Sequence, residues 1–121
     1  MLHARMREVC LLVGRNDVVL WSDASDSPVA LPDSRARWEA IWSMRTRIVE
    51  IAHSHPVGPL GFSREDETTM EALTSALGKS LTYSVVAPNG MVRLKKTKQT
   101  IVEVEPWWAS LLRLASGMHK V

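Results

Sequence analysis

Cysteine is nearly missing from this chain. Cys10 is the only one among 121 residues, so no internal disulfide can form. Long apolar runs are missing as well. The first, Val9-Cys10-Leu11-Leu12-Val13, stops at Gly14-Arg15-Asn16-Asp17. No stretch approaches the roughly 20 apolar residues of a membrane span, and no secretory signal pattern opens the chain. A reduced, cytoplasmic setting is therefore expected. Neither sign of charge dominates: 15 Lys and Arg stand against 13 Asp and Glu, for a net charge of +2. That balance implies neither nucleic acid nor membrane as a partner. Repeats, low-complexity tracts and linkers are also absent. The length suits one domain with one core and is too short for two, so residues 1–121 are read as a single domain.

What is present is ordinary for a soluble globular protein, with 45% apolar and 23% charged residues. Residues 5–13 read as a buried strand in which Cys10 is a small core residue. Gly14 to Asp17 read as a turn and Val18 to Trp21 as a second strand. A Ser/Asp/Pro-rich loop over 22–28 leads to a short strand at Val29–Leu31. Asp33 or Ser34 would cap a helix to about Met44, with Trp38, Ile41 and Trp42 as a core-facing stripe. Arg47 to His53 read as a strand, and Ser63 opens a helix to about Lys79 with Met70, Leu73 and Leu77 on its apolar side. Leu81–Ala87 and Met91–Lys96 form a hairpin about Pro88-Asn89-Gly90, and Thr100–Val104 adds a strand. Pro106 occupies a first-turn position of a last helix whose Trp107, Leu111, Leu112 and Leu114 face inward. Antiparallel hairpins mixed with helices place the fold in the α+β class. The basic run Arg93, Lys95, Lys96, Lys98 reads as a solvated strand face, with contact to an acidic partner as the alternative.

The chemistry concentrates in His53-Ser54-His55-Pro56-Val57-Gly58-Pro59-Leu60-Gly61-Phe62-Ser63-Arg64-Glu65-Asp66. Histidines two apart on an extended segment put both imidazoles on one side. Pro56, Gly58, Pro59 and Gly61 let the chain turn, so Asp66 can return to that side. Two histidines, one aspartate and an open fourth position make the ligand set of a catalytic zinc site rather than a closed structural one. Other sites built on H-x-H fit less well. A metallo-β-lactamase-type site needs an Asp and a further His where Val57 and Gly58 stand. A cupin needs a Glu where Pro59 and Leu60 stand. An amidohydrolase needs a barrel of about 250 residues.

The stretch resembles the signature of the JAMM metalloproteases (the JAB or MPN+ family): H-x-H, seven residues, S, two residues, D, with Pro56–Phe62 as the seven. The resemblance covers nearly the whole length. It implies a curved, mixed, largely antiparallel sheet flanked by helices, layered as in cytidine deaminases, with H-x-H at a strand end and S-x-x-D opening the next helix. The chain looks like a minimal, prokaryotic-type member: it lacks the family's usual helix before the first strand, its insertions and its extra zinc-binding cysteines.

That resemblance implies one Zn²⁺ held by His53, His55 and Asp66, and a general base on the first strand. Glu8, in Arg7-Glu8-Val9-Cys10-Leu11-Leu12-Val13-Gly14, matches the base, although the interval to Gly14 is one residue shorter than in the family. The rival Glu50 lies three residues before His53, so strand alternation turns it to the opposite face; its plain role is a solvent-facing or paired strand charge. Glu39 reads as a surface residue, as do His3 and His119. Ser63 has two readings. Ser-x-x-Asp is a helix capping box, which would engage the Asp66 carboxylate and keep it from zinc. In the family the serine hydroxyl helps bind the oxyanion. Glu65 complements the helix dipole. The implied activity is zinc-dependent peptidase or isopeptidase cleavage after the C-terminal glycines of a ubiquitin-like or sulfur-carrier protein, through a narrow groove. The alternatives are a catalytically silent scaffold that binds a protein partner and a metal-dependent hydrolase of a small amide.

Overall fold

The computed structural model describes residues 5–118. His3 and His119 lie outside them. The fold is α+β: among the described residues six strands form one mixed sheet that does not close into a barrel, with three helices against it. In chain order the elements are β1 (Val9–Val13), β2 (Val19–Ala24), α1 (Arg35–Ser43), β3 (Glu50–Ser54), α2 (Arg64–Leu77), β4 (Thr82–Ala87), β5 (Gly90–Lys95), β6 (Lys98–Ile101) and α3 (Trp107–Ser116). The strand order is β2-β1-β3-β4-β5-β6. Only β3 and β4 pair in parallel, because α2 carries the chain back between them; the remaining neighbours are antiparallel.

Alternation along β1 divides the interior in two. Val9, Leu11 and Val13 join Ala52, Val86 and Met91 under Trp108, Ala109 and Leu112 of α3. Cys10 and Leu12 join Ile51 and Tyr83 on the other face, under Ile41 of α1 and Leu73 of α2. A single helix thus seals one face and two helices share the other. Cys10 is buried, as expected, and burial pushes its thiol up to about 12.

Several local expectations are corrected. Val29–Leu31 is irregular rather than a strand; it lies between Pro28 and Pro32, which cannot donate to a ladder. The ladder is instead prolonged by Ser25 and Ser27, which bond the backbone of Glu8 at 2.9 and 2.8 Å. The last strand is Lys98–Ile101, not Thr100–Val104. A two-residue turn with Lys96 at φ 56° sets its register, pairing Lys95 with Lys98. Regular pairing in β3 starts at Glu50, not Arg47. Trp42 is 55% exposed, with the Arg45 guanidinium 4.0 Å above its ring. Trp107, Leu111 and Leu114 face outward, and Pro106 is the N-cap of α3. Trp108 and Leu112, one turn apart, anchor that helix instead, with the indole N–H of Trp108 donating to Asp17 at 2.9 Å. In the basic run, Lys95, Lys96 and Lys98 are exposed, but Arg93 is half-buried and pairs with Glu50 at 3.0 Å.

Candidate metal centre

The centre lies where β3 ends beside the start of β1. Cys10 sits opposite His53 in the β1–β3 ladder, and the same antiparallel register carried two residues further sets Glu8 opposite His55. Glu8, His53 and His55 therefore project from one side of the sheet. Between the histidines, Ser54 points the other way and is fully buried. Its hydroxyl accepts from the backbone N–H of Val9 at 2.9 Å and lies 2.5 Å from the Ser116 hydroxyl of α3. These bonds hold the two strand ends together directly behind the site. The His55 backbone N–H donates to Val86 at 2.8 Å, so β4 steadies the other side.

After His55 the chain reverses, with Gly58 at φ 72°. The reversal returns the Pro59 carbonyl to 2.9 Å from His55 Nδ1. A carbonyl only accepts, so Nδ1 carries a proton and Nε2 is the nitrogen turned to the cavity. Ser63 then caps α2. Its hydroxyl accepts from the Asp66 N–H at 3.0 Å, and Asp66 Oδ2 accepts from the Ser63 N–H at 2.7 Å. The capping box is complete and, contrary to expectation, still leaves Asp66 beside the histidines. Oδ1 lies 3.1 Å from His53 Nε2, and the two imidazole Nε2 atoms are 3.1 Å apart.

The side chains of Glu8, His53 and His55 each bring a ligand atom within 4.8 Å of one another, a group that could hold a metal ion. Asp66 adds a second carboxylate, with Oδ2 at 3.5 Å from His55 Nε2. Ligand atoms about 2.0–2.1 Å from a tetrahedral ion lie about 3.3 Å from each other. The two 3.1 Å separations, His53 Nε2 to His55 Nε2 and His53 Nε2 to Asp66 Oδ1, are close to that spacing. Imidazole nitrogens and carboxylate oxygens gathered in a largely buried corner are a donor set that could hold a cation.

The two carboxylates are tuned in opposite directions. Burial raises the Glu8 pKa, with partial relief from the neighbouring charges of His53 and His55. Burial acts against the charge of Asp66 too, but hydrogen bonds from His53 and His55 outweigh it and hold this carboxyl well below the usual range. For His55, burial disfavours protonation, yet the Asp66 carboxylate and the Pro59 carbonyl prevail and lift its pKa. Carboxyl groups pushed apart in this way suit separate tasks, one as a permanent anion and the other as a proton carrier.

Glu50 lies on the opposite face from His53 and His55. It is 7% exposed, accepts from the Ser84 hydroxyl and binds Arg93 through two donors at 3.0 and 3.3 Å. It is a paired interior charge. Glu39 is a surface residue bridged to Arg35. Two participants went unnoticed in the sequence: Ser54, which ties the strand ends together, and the Pro59 carbonyl, which orients His55. The first could have been suspected from its alternation between the histidines; a backbone carbonyl has no signature.

Beside the centre opens a cavity of about 560 Å³, bounded by Glu8, His53, His55, Ser63 and Asp66 at one end and by apolar side chains of α1, α2 and the sheet elsewhere. Compared with protein-family models and with curated proteins, the chain matches none. No helix among the described residues is long and apolar enough to cross a membrane.

Proposed function

We propose that this protein is a zinc-dependent hydrolase of amide bonds, a peptidase or isopeptidase of the JAMM type. The observation that carries the reading is the convergence of His53 Nε2, His55 Nε2 and Asp66 Oδ1, separated by 3.1 Å in the two closest pairs, at the end of a cavity that also holds Glu8 and Ser63. Imidazole and carboxylate donors suit zinc. When bound, zinc would polarise the scissile carbonyl and lower the pKa of a coordinated water.

The chain's own groups account for the remaining work. Glu8, buried and raised in pKa, takes the proton from the attacking water and delivers it to the departing amine. Asp66, held as an anion, balances the charge of the ion. The Ser63 hydroxyl accepts from the Asp66 N–H and keeps its own proton to donate to the developing oxyanion. The Pro59 carbonyl fixes the tautomer of His55, and Ser54 keeps Glu8 level with the histidines.

The resemblance points to the flexible C-terminal tail of a ubiquitin-like or sulfur-carrier protein as substrate. A buried free thiol, Cys10, suits a reducing, cytoplasmic setting. Zinc-loaded protein incubated with such fusions and with a mixed peptide library, read by mass spectrometry, tests the activity. Cleavage that stops on chelation and in Glu8→Gln is expected; cleavage indifferent to both would overturn the assignment.

A further inference from the structure

The cavity beside the metal centre is larger and less polar than a groove for two glycines requires. Its floor is Ile51 and Tyr83 of the sheet. One wall is Trp38 and Ile41 of α1, and the other is Met70 and Leu73 of α2. The space exists because α1 and α2 divide one sheet face between them. Each leaves few side chains fully covered: Ala40 and Ile41 on α1, and Leu73 on α2. At about 560 Å³ it falls among small-molecule and side-chain pockets, about 300–1,000 Å³.

We infer that this cavity is the specificity pocket of the hydrolase and takes a bulky, uncharged apolar group of the substrate, of the size of a benzyl or isobutyl side chain, close to the bond that is cut. The inference rests on the reading of the site as an amide-hydrolysing metal centre and departs from a glycine tail. Glycine has no side chain, so a Gly-Gly segment would leave the apolar walls against water. An apolar group would remove them from it, which is where binding energy is gained. Charge excludes the obvious alternative of an acidic side chain. The one Lys or Arg among the described residues that line the cavity, Arg37, is already matched by Asp23, whose two carboxylate oxygens both lie 3.1 Å from its Nε. Glu8, Asp66, Asp33 and Glu65 add no cation to the same space; Asp33 and Glu65 are exposed and Asp66 is engaged by Ser63, so the apolar walls offer a basic side chain no carboxylate either. The reactive cluster sits at one end, so an apolar group seated in the pocket would fix the position of a bond two or three atoms away.

The test uses full-length, zinc-loaded protein and two probes with the same chelating head, acetohydroxamic acid and 3-phenylpropanohydroxamic acid, titrated by calorimetry. Burying the benzyl group should tighten binding by about 30- to 100-fold. Met70→Trp, which adds bulk to the α2 wall and narrows the pocket, should reduce that difference several-fold. If acetohydroxamic acid binds and the phenyl group adds less than about threefold, the pocket assignment is overturned while the metal centre stands. If the gain is unchanged in Met70→Trp, the apolar group binds elsewhere and the assignment is again overturned. If neither probe binds and the protein takes up no zinc, the metal centre itself fails and the pocket assignment falls with it.

Discussion

Asp66 divides its carboxylate between two neighbours: Oδ2 accepts from the Ser63 N–H at 2.7 Å, while Oδ1 stands 3.1 Å from His53 Nε2. One side chain thus closes the N-terminus of α2 and completes the donor cluster at the end of β3. The cap restrains the carboxylate rotamer before any ion arrives, so little ordering remains for binding to impose.

Ser63→Ala and Asp66→Ala separate these tasks. Ser63→Ala should keep zinc, lose about 1 kcal/mol of stability with the cap, and lower turnover by about 10²–10³ if its hydroxyl serves the oxyanion. Asp66→Ala should lose the cap, zinc affinity and activity together. Zinc content, melting temperature and turnover on both variants report this, and full zinc and activity in Asp66→Ala would dismantle the centre.

Freshly purified protein should carry about one zinc per chain, or take it up on addition, with ligand nitrogens about 2.0–2.1 Å from the metal. Elemental analysis and X-ray absorption measure both. Less than a tenth of an equivalent, with no uptake, would sink the metal assignment.

Glu8→Gln should keep fold and zinc and lose about 10²–10⁴ in turnover. Glu50→Gln should behave in the reverse way. It disturbs the buried pairing with Arg93 and Ser84, so about 1–3 kcal/mol of stability is lost, while the activity of the folded protein is retained. Turnover normalised to folded fraction distinguishes them, and an inactive, fully folded Glu50→Gln would reassign the base.

The raised pKa of Glu8 also has a sign in stability. Below the ordinary glutamate value Glu8 is protonated in folded and unfolded chains, and its burial carries no charge penalty. As pH rises, the unfolded chain ionises first, so the metal-free native state loses stability until the pH passes the folded value. Metal-free Glu8→Gln should therefore melt above the wild type at neutral pH and lose that advantage in acid. Equal gains at both pH values would show that Glu8 does not carry a raised pKa.

Periodicity in the sequence was enough to reveal the elements that alternate strictly or begin at a strong cap. The β1 run, α2 from Ser63 to Gly78 and the hairpin about Asn89 stood out because their patterns are local. The spacing of His53, His55, Ser63 and Asp66 was likewise legible, since a strand end and a helix start lie within one short stretch. The outward stripe of Trp107, Leu111 and Leu114 was not. An apolar helix with two candidate faces shows no preference until the sheet selects Trp108 and Leu112. Nor was the pairing of Glu50 with Arg93, 43 residues away, which exists only through β4 and β5.

The candidate donors and their order were legible in the chain, because residue type and short-range spacing are chemical facts of it. Tertiary structure decided what those donors face. The register between β1 and β3 set Glu8 level with His55, and the return of the Pro59 carbonyl chose the nitrogen that His55 presents. The split of one sheet face between α1 and α2 opened an apolar cavity beside the histidine and carboxylate cluster. Each depends on strands and helices far apart in sequence meeting at a particular offset. Side-chain packing across the whole sheet determines that offset, and a local pattern does not.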